Sequence, residues 1–358
     1  MKRRSDEQMQ KLVFAYPGDI DTPTGGYGYD RRIIAGLRAL GWQVDLLPLG
    51  PDFPYPSAQT LDGARRKLEN LASETCLVVD GLAFGVMAEA AEAVFRRLKL
   101  IALVHHPLCQ ENGLGSGQAD ALLASERKAL SFVRHVIVTS AATATQVEEL
   151  FAIPQEQITV ILPGTERPEV SLRQTSEALK LLAVGTVVPR KGYDLLLEAL
   201  KDVSVTNWHL DIVGGLDADP QCYRSLRMQV DEYGFADRIT FHDAVSPDEL
   251  SAFYQSADVF VLASRYEGYG MAYTEALAHG LPVIGSGGGA VRDTLPEEAA
   301  IYCGTENVDL LHEALERIMS DSAKRSKMAE AARVAASKLP TWEDAATKFA
   351  DVLKGAAT

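Results

Sequence analysis

Two glutamates eight residues apart, Glu267 and Glu275, lie in the stretch RYEGYGMAYTEA (265–276), surrounded by glycines and apolar residues. Gly268 and Gly270 precede a helix-like run that begins at Met271. The first N–H groups of a helix have no partner inside it and attract an anion. Glu275, one turn in, can accept two hydrogen bonds from a sugar diol, and Glu267 can meet another hydroxyl. The plainer alternative is two glutamates on a solvated helix edge. Their apolar surroundings weaken it.

A second cluster, GTVVPRKG (Gly185–Gly192), follows an apolar run and precedes a helix. The adjacent cations Arg190 and Lys191 beside a helix start suit a diphosphate. An isolated surface pair is the alternative. A third cluster, TGGYG (24–28), includes Gly25 and Gly26, where a bare backbone could approach a phosphate closely. A dinucleotide fingerprint needs G-x-G-x-x-G/A. Counting from Gly26 the last position is Arg31, so that pattern fails and a plain turn stays open. His105 and His106 are adjacent at a strand end and would face opposite ways on an ideal strand. No H-E-x-x-H occurs. Asp217-Ala218-Asp219 precedes Pro220 in a loop, where aspartate is common, and no metal ligand is assigned.

These clusters need strands and helices to hold them. Short apolar runs at 11–18, 42–49, 76–82, 99–106, 135–140 and 158–164 alternate with helical spacings at Tyr29–Leu40, Val86–Leu98 and Asp120–Phe132. A polar break near 165–177 follows. The alternation then restarts at 179–186, 193–200, 208–215, 238–244, 258–264 and 281–288. Such alternation implies parallel sheets covered on both faces. The expected fold is α/β, with two Rossmann-like domains and a cleft between their carboxyl edges. The expected boundaries are 1–168 and 169–340. A C-terminal helix over 341–358, apolar on one face, is expected to cross back to the first domain.

Composition sets the limits. The 358 residues, 47% hydrophobic and 23% charged, fit a globular chain of about two domains. A net charge of −14 disfavours broad nucleic-acid binding but leaves room for a local cationic pocket. Cys76, Cys109, Cys222 and Cys303 form no C-x2-C pair. No apolar run approaches the roughly 20 residues of a membrane helix. No apolar signal region follows the basic start MKRRSDEQMQ. The expectation is a cytoplasmic protein without membrane association, with Arg65-Arg66-Lys67 a solvated helix face.

In EGYGMAYTEALAHGLPVI, the spacing of Glu267 and Glu275 resembles the E-x7-E region of retaining glycosyltransferases of GT-B architecture, family 4. Other segments match in order: Gly25-Gly26, Val104-His105-His106, Val138-Thr139-Ser140, Leu162–Thr165, Gly185–Gly192 and Gly287-Gly288-Gly289. The resemblance implies transfer of a sugar from a nucleotide-diphosphate donor, of UDP-glucose or GDP-mannose type, to an acceptor hydroxyl with retention. It implies no metal and no cofactor beyond the donor. Arg190 and Lys191 would neutralise the diphosphate, and Gly270 and Met271 would offer it N–H groups. Glu275 would hold the ribose, and Glu267 and His106 the sugar. Gly26 would approach the β-phosphate. Acceptor binding would fall to the N-terminal domain, 1–168, where the segments Asp80–Gly85, His106–Leu108 and Gln110–Gln118 are expected to meet a small soluble acceptor or a polysaccharide precursor, and a homo-oligomer is allowed. Two departures stand out: Thr186 where arginine is common, and Ala290-Val291 where the last glycine loop usually continues to Pro-Glu. A GT-B-like epimerase or phosphorylase, and a non-catalytic sugar-nucleotide-binding protein, are the alternatives.

Overall fold

The computed structural model describes residues 10–111, 113–168 and 178–357. Most of the basic N-terminus, the 169–177 part of the expected linker and Asn112 of the Gln110–Gln118 loop lie outside the described residues. The chain divides into two compact units. One is the chain up to Pro163 together with the stretch from Trp342, and the other is Gly164–Thr341. In the second unit, Thr165 N–H donates to Pro340 O at 2.9 Å, and Arg167 reaches the carbonyls of Ser337 and Leu339. The residues just after the first boundary are thus tied to those just before the second.

The first unit holds a six-stranded parallel sheet. Its strands are β1 (Lys11–Tyr16), β2 (Gln43–Pro48), β3 (Cys76–Asp80), β4 (Lys99–Val104), β5 (His135–Val138) and β6 (Ile158–Val160), in the order β2-β1-β3-β4-β5-β6. Strands buried on both faces read as unbroken apolar runs, as LIALV in β4 does. The helix expected from Tyr29 starts four residues earlier, at Gly25, and runs to Ala39. Thr24 is the reason: its hydroxyl accepts from Tyr27 N–H and caps the first turn. The C-terminal helix Trp342–Ala357 packs on this same helix. Gly36 makes the contact possible, since a Cβ there would lie 2.4 Å from Ala346 Cβ. Phe349, Ala345 and Leu353 are buried on the helix's inner face, and Trp342 sits edge-on to Tyr29.

The second unit repeats the scheme. Its strands are β7 (Leu179–Val184), β8 (Trp208–Val213), β9 (Ile239–His242), β10 (Val259–Leu262), β11 (Tyr266–Glu267), β12 (Val283–Gly285), β13 (Gly288–Gly289) and β14 (Ala300–Tyr302). Six form a parallel sheet in the order β14-β12-β10-β7-β8-β9, while β11 and β13 form a small separate pair. The six-strand order reverses direction between β7 and β10. In the first unit it reverses between β1 and β3. Open parallel sheets bind ligands at the carboxyl ends of the strands flanking such a switch point. Gly25-Gly26 and Asp80 follow β1 and β3, and Gly185–Lys191 and Glu267 follow β7 and β10. Among the described residues no helix is long and apolar enough to cross a membrane.

Candidate active site

The second unit gathers most of the expected donor-side residues. After β7 the chain makes a single 3-10 turn, Pro189–Lys191, which ends at Gly192 with φ of 62°. Only glycine fits there, for the conformation is left-handed and an added Cβ would lie 1.9 Å from Ala263 O. That contact presses the turn onto the end of β10, and Arg190 O accepts from Arg265 N–H at 2.8 Å. The side chains of Arg190 and Lys191 then meet the strand that carries Glu267. Lys191 Nζ lies 2.6 Å from Glu267 Oε1, and Arg190 donates to Tyr266 O at 2.8 Å and lies 3.4 Å from Glu267 Oε2. Ser264 Oγ donates to Glu267 Oε1 at 2.6 Å. Gly185 supplies the wall, since a Cβ there would press on the Lys191 stem at 2.9 Å.

Glu267 is 6% exposed. Burial alone would raise its pKa, but the charges of Lys191 and Arg190, with the hydrogen bonds from Lys191 and Ser264, bring it to about 2. Burial lowers the pKa of Lys191 and Arg190 adds to this, while Glu267 and Glu275 oppose it. The result is a compact, largely buried cation pair held on one carboxylate. Gly287–Gly289 holds that carboxylate's backbone from behind. Gly288 N–H donates to Arg265 O and Ala290 N–H to Glu267 O, and a Cβ on Gly289 would lie 2.2 Å from Glu267 O. The loop lacks a Pro-Glu pair yet still fixes Glu267.

Gly270 caps the helix Met271–Ala278 without a side-chain bond. Gly268, Gly270 and Met271 therefore stand at a helix N-terminus, as expected. Glu275, in the same helix, is half-buried and accepts from Tyr254 Oη at 2.9 Å. His279 stacks on Tyr254 at 4.8 Å and its Nδ1 lies 2.8 Å from the backbone O of Glu275, so it supports the tyrosine that holds this carboxylate. The i, i+4 spacing of Glu275 and His279 was the available signal.

Arg265 went unrecognised in the sequence. Its guanidinium binds both carboxylate oxygens of Asp194 at 2.9 and 2.7 Å, Glu306 at 2.7 Å and Pro189 O at 2.6 Å. It clamps the Arg190–Lys191 turn from outside. A cavity of about 390 Å³ beside this clamp is lined by Pro189, Asp194, Cys222 and Arg265 among others, and by none of the predicted site residues. Asp219 caps the helix Pro220–Glu232 by accepting from Gln221 and Cys222 N–H. The turn reading of Asp217–Asp219 therefore accounts for that residue.

In the first unit Gly25 and Gly26 are part of a helix's first turn, not of a loop before it. The histidine beside them is His105, not His106: a Cβ on Gly26 would lie 3.5 Å from His105 Cδ2. His106 turns the other way and pairs with Glu111 at 2.8 Å. His105 Nε2 lies 3.2 Å from Asp30 Oδ1 and 3.6 Å from Asp80 Oδ2. Burial disfavours its charge, yet the hydrogen bonds and charges of both aspartates raise its pKa to about 10. Asp30 is driven up to about 7 by burial and by Asp80, against His105. Burial opposes ionisation of Asp80 too, but His105, Asp30 and the Leu82 N–H hold its pKa below the usual value. The partners lie 50 and 25 residues apart along the chain, so no local motif announces them. Asp80 also caps the short helix Gly81–Phe84. Beyond it, Glu126 accepts from the N–H groups of Leu108 and Cys109, fixing the turn after His106-Pro107.

Residues 166–335 match the family described as "Glycosyl transferases group 1". A Mycobacterium tuberculosis GDP-mannose-dependent alpha-(1-6)-phosphatidylinositol monomannoside mannosyltransferase is 30% identical over 223 residues. That alignment takes in 56% of this chain and 57% of the relative, so the chain matches little more than half of the relative's length. Among solved structures, sucrose-phosphate synthase from Thermosynechococcus elongatus superposes with a TM-score of 0.82 at 21% identity, covering 97% of this chain and 98% of that one. Anabaena HepE in complex with UDP superposes with a TM-score of 0.71 at 18% identity, covering 97% and 100%. These likenesses establish the two-sheet fold. The matched segment, which spans the turn of Arg190 and Lys191, Glu267 and the helix of Glu275, is a group 1 glycosyl transferase segment, and the two six-stranded sheets have the GT-B architecture of the solved neighbours.

Proposed function

We propose that this protein is a retaining, metal-independent glycosyltransferase that moves a hexose from a nucleoside-diphosphate sugar to an acceptor hydroxyl. The observation that carries the reading is the buried set Lys191, Arg190 and Glu267 beside a helix N-terminus. Fixed cations and backbone dipoles aimed at a leaving diphosphate stabilise the charge that develops on it, without reorganisation during the reaction. In this reading Arg190, Lys191 and the N–H groups at Gly270 and Met271 hold the diphosphate. Glu275, steadied by Tyr254, takes the ribose diol. Glu267 holds hydroxyls of the transferred sugar.

The bond between the anomeric carbon and the diphosphate breaks, and a bond to the acceptor oxygen forms on the same face. The acceptor proton passes to an oxygen of the departing phosphate. A GDP-mannose-dependent relative and a UDP-bound structural neighbour support both donor bases.

The test is product analysis. Wild-type protein is incubated with UDP-glucose or GDP-mannose and a panel of small polyols and sugar phosphates, and the product's anomeric configuration is read by NMR. Retention in the wild type, with severe loss of turnover in Lys191→Ala and Glu275→Ala, is expected. Inversion, or wild-type turnover in both variants, would sink the reading.

A further inference from the structure

Beside Gly26, the ring of His105 is fixed on three sides. Nε2 faces two buried carboxylates, the edge of the ring meets Tyr29 at a centroid distance of 5.4 Å, and Gly26 closes over Cδ2. Asp30 is fully buried, and its Oδ2 has no hydrogen-bond partner among the described residues. Asp80 is 2% exposed and spends one oxygen on Leu82 N–H. Carbonyl O of His105 accepts from the hydroxyls of Thr139 and Thr143. The groups facing the ring are Asp30 and Tyr29 from the first helix and Asp80 from the end of β3, while the two threonines hold the backbone carbonyl. None is cationic.

An imidazole ring whose Nε2 faces ionised carboxylates carries a proton on that nitrogen. The other nitrogen then decides the chemistry. On a neutral ring Nδ1 is an acceptor and a base; on a cation it is a charged donor. His105 is 20% exposed at its side chain, and its ring contacts with the two aspartates are made through Nε2.

We propose that Asp30 and Asp80 are positioning residues that fix His105 as a two-donor cation, with Nε2–H held by the carboxylates and Nδ1–H offered to a substrate oxygen. His105 is therefore a charged hydrogen-bond donor, never the base that accepts the acceptor's proton. Two buried carboxylates sharing one ring favour this state, because each is stabilised as an anion by the cationic ring. The identity of the substrate oxygen rests on the transferase reading above. The charge state of the ring does not.

The test uses the ligand-free protein with 15N-labelled histidine. The His105 resonances are assigned by comparison with His105→Gln. Imidazolium shifts at pH 7 that persist past pH 9 are expected. In Asp80→Asn the titration should move down by at least one pH unit, a tenfold change in proton affinity. The alkaline fall of the variant's kcat/KM should then lie at least one pH unit below that of the wild type. Asp30→Asn serves as the second variant if Asp80→Asn does not fold. A neutral His105 at pH 7, or an unchanged titration in the variant that folds, overturns the proposal. So does a zinc-induced shift reversed by chelator, since the three residues would then be metal ligands. Because the NMR needs no substrate, an inactive protein with a cationic His105 would refute the transferase reading while leaving the clamp intact.

Discussion

Substituting Glu267 with glutamine keeps the side chain's shape and leaves an oxygen for Ser264, but it removes the carboxylate that pairs with both Lys191 and Arg190. The carboxyl sits at about 2, against 4.5 for an ordinary glutamate. At about 1.4 kcal/mol per tenfold change in proton affinity, its ionised form contributes on the order of 3 kcal/mol to the folded state at neutral pH. Breaking a buried pair by removing one partner independently suggests about 3–5 kcal/mol. The folded-state pKa is depressed, so the contribution is complete above about 4.5 and is lost as the pH falls toward 2. By pH 3 linkage leaves roughly half of it.

The assay is urea unfolding of wild type and Glu267→Gln at several pH values. Hydrogen exchange of peptides from Gly164–Thr341 assigns the transition to the second unit. A deficit of about 3 kcal/mol at pH 7 that narrows between pH 5 and pH 3 is predicted. A variant within about 1 kcal/mol of wild type at pH 7, or a deficit that does not narrow, would refute the electrostatic account.

Three further outcomes follow from the same geometry. Gly192→Ala should lose far more stability than Gly234→Ala in chemical denaturation. Both positions have positive φ, worth about 1–3 kcal/mol of strain, but only the added Cβ at Gly192 strikes a carbonyl. Arg265→Lys should leave the fold intact but weaken nucleotide-sugar binding at least severalfold by calorimetry, because an ammonium cannot bridge Asp194, Glu306 and Pro189 O together. Asp219→Ala should cost about 1 kcal/mol as a lost helix cap and leave kcat unchanged; a metal-dependent loss of activity would contradict its role as a cap.

The parallel sheets were legible because strands such as LIALV within β4 and VFVL are apolar throughout. The charges at Arg190, Lys191 and Glu267 were legible as chemistry because glycines flank them. The helix start at Gly25 was obscured by three glycines, which lower helix propensity, while one threonine hydroxyl decided the matter. His105 and His106 could not be ranked from alternation alone. The choice depended on Asp30 and Asp80, which the topology brings in from another helix and another strand. Arg265 reads as one more surface cation until β10 and the Pro189–Lys191 turn are placed side by side. Residues that act on a strand-end motif from elsewhere in the sheet leave no spacing to find.

The claim that Lys191 and its neighbours grip a diphosphate is tested most directly by isothermal titration of UDP and GDP into the wild type and Lys191→Ala. The wild type should bind at least one of them. A saturating dose at 100 times the dissociation constant should also stabilise it by about 2.7 kcal/mol, with both effects lost in Lys191→Ala. Equal binding by the two proteins, or none by the wild type, would contradict it.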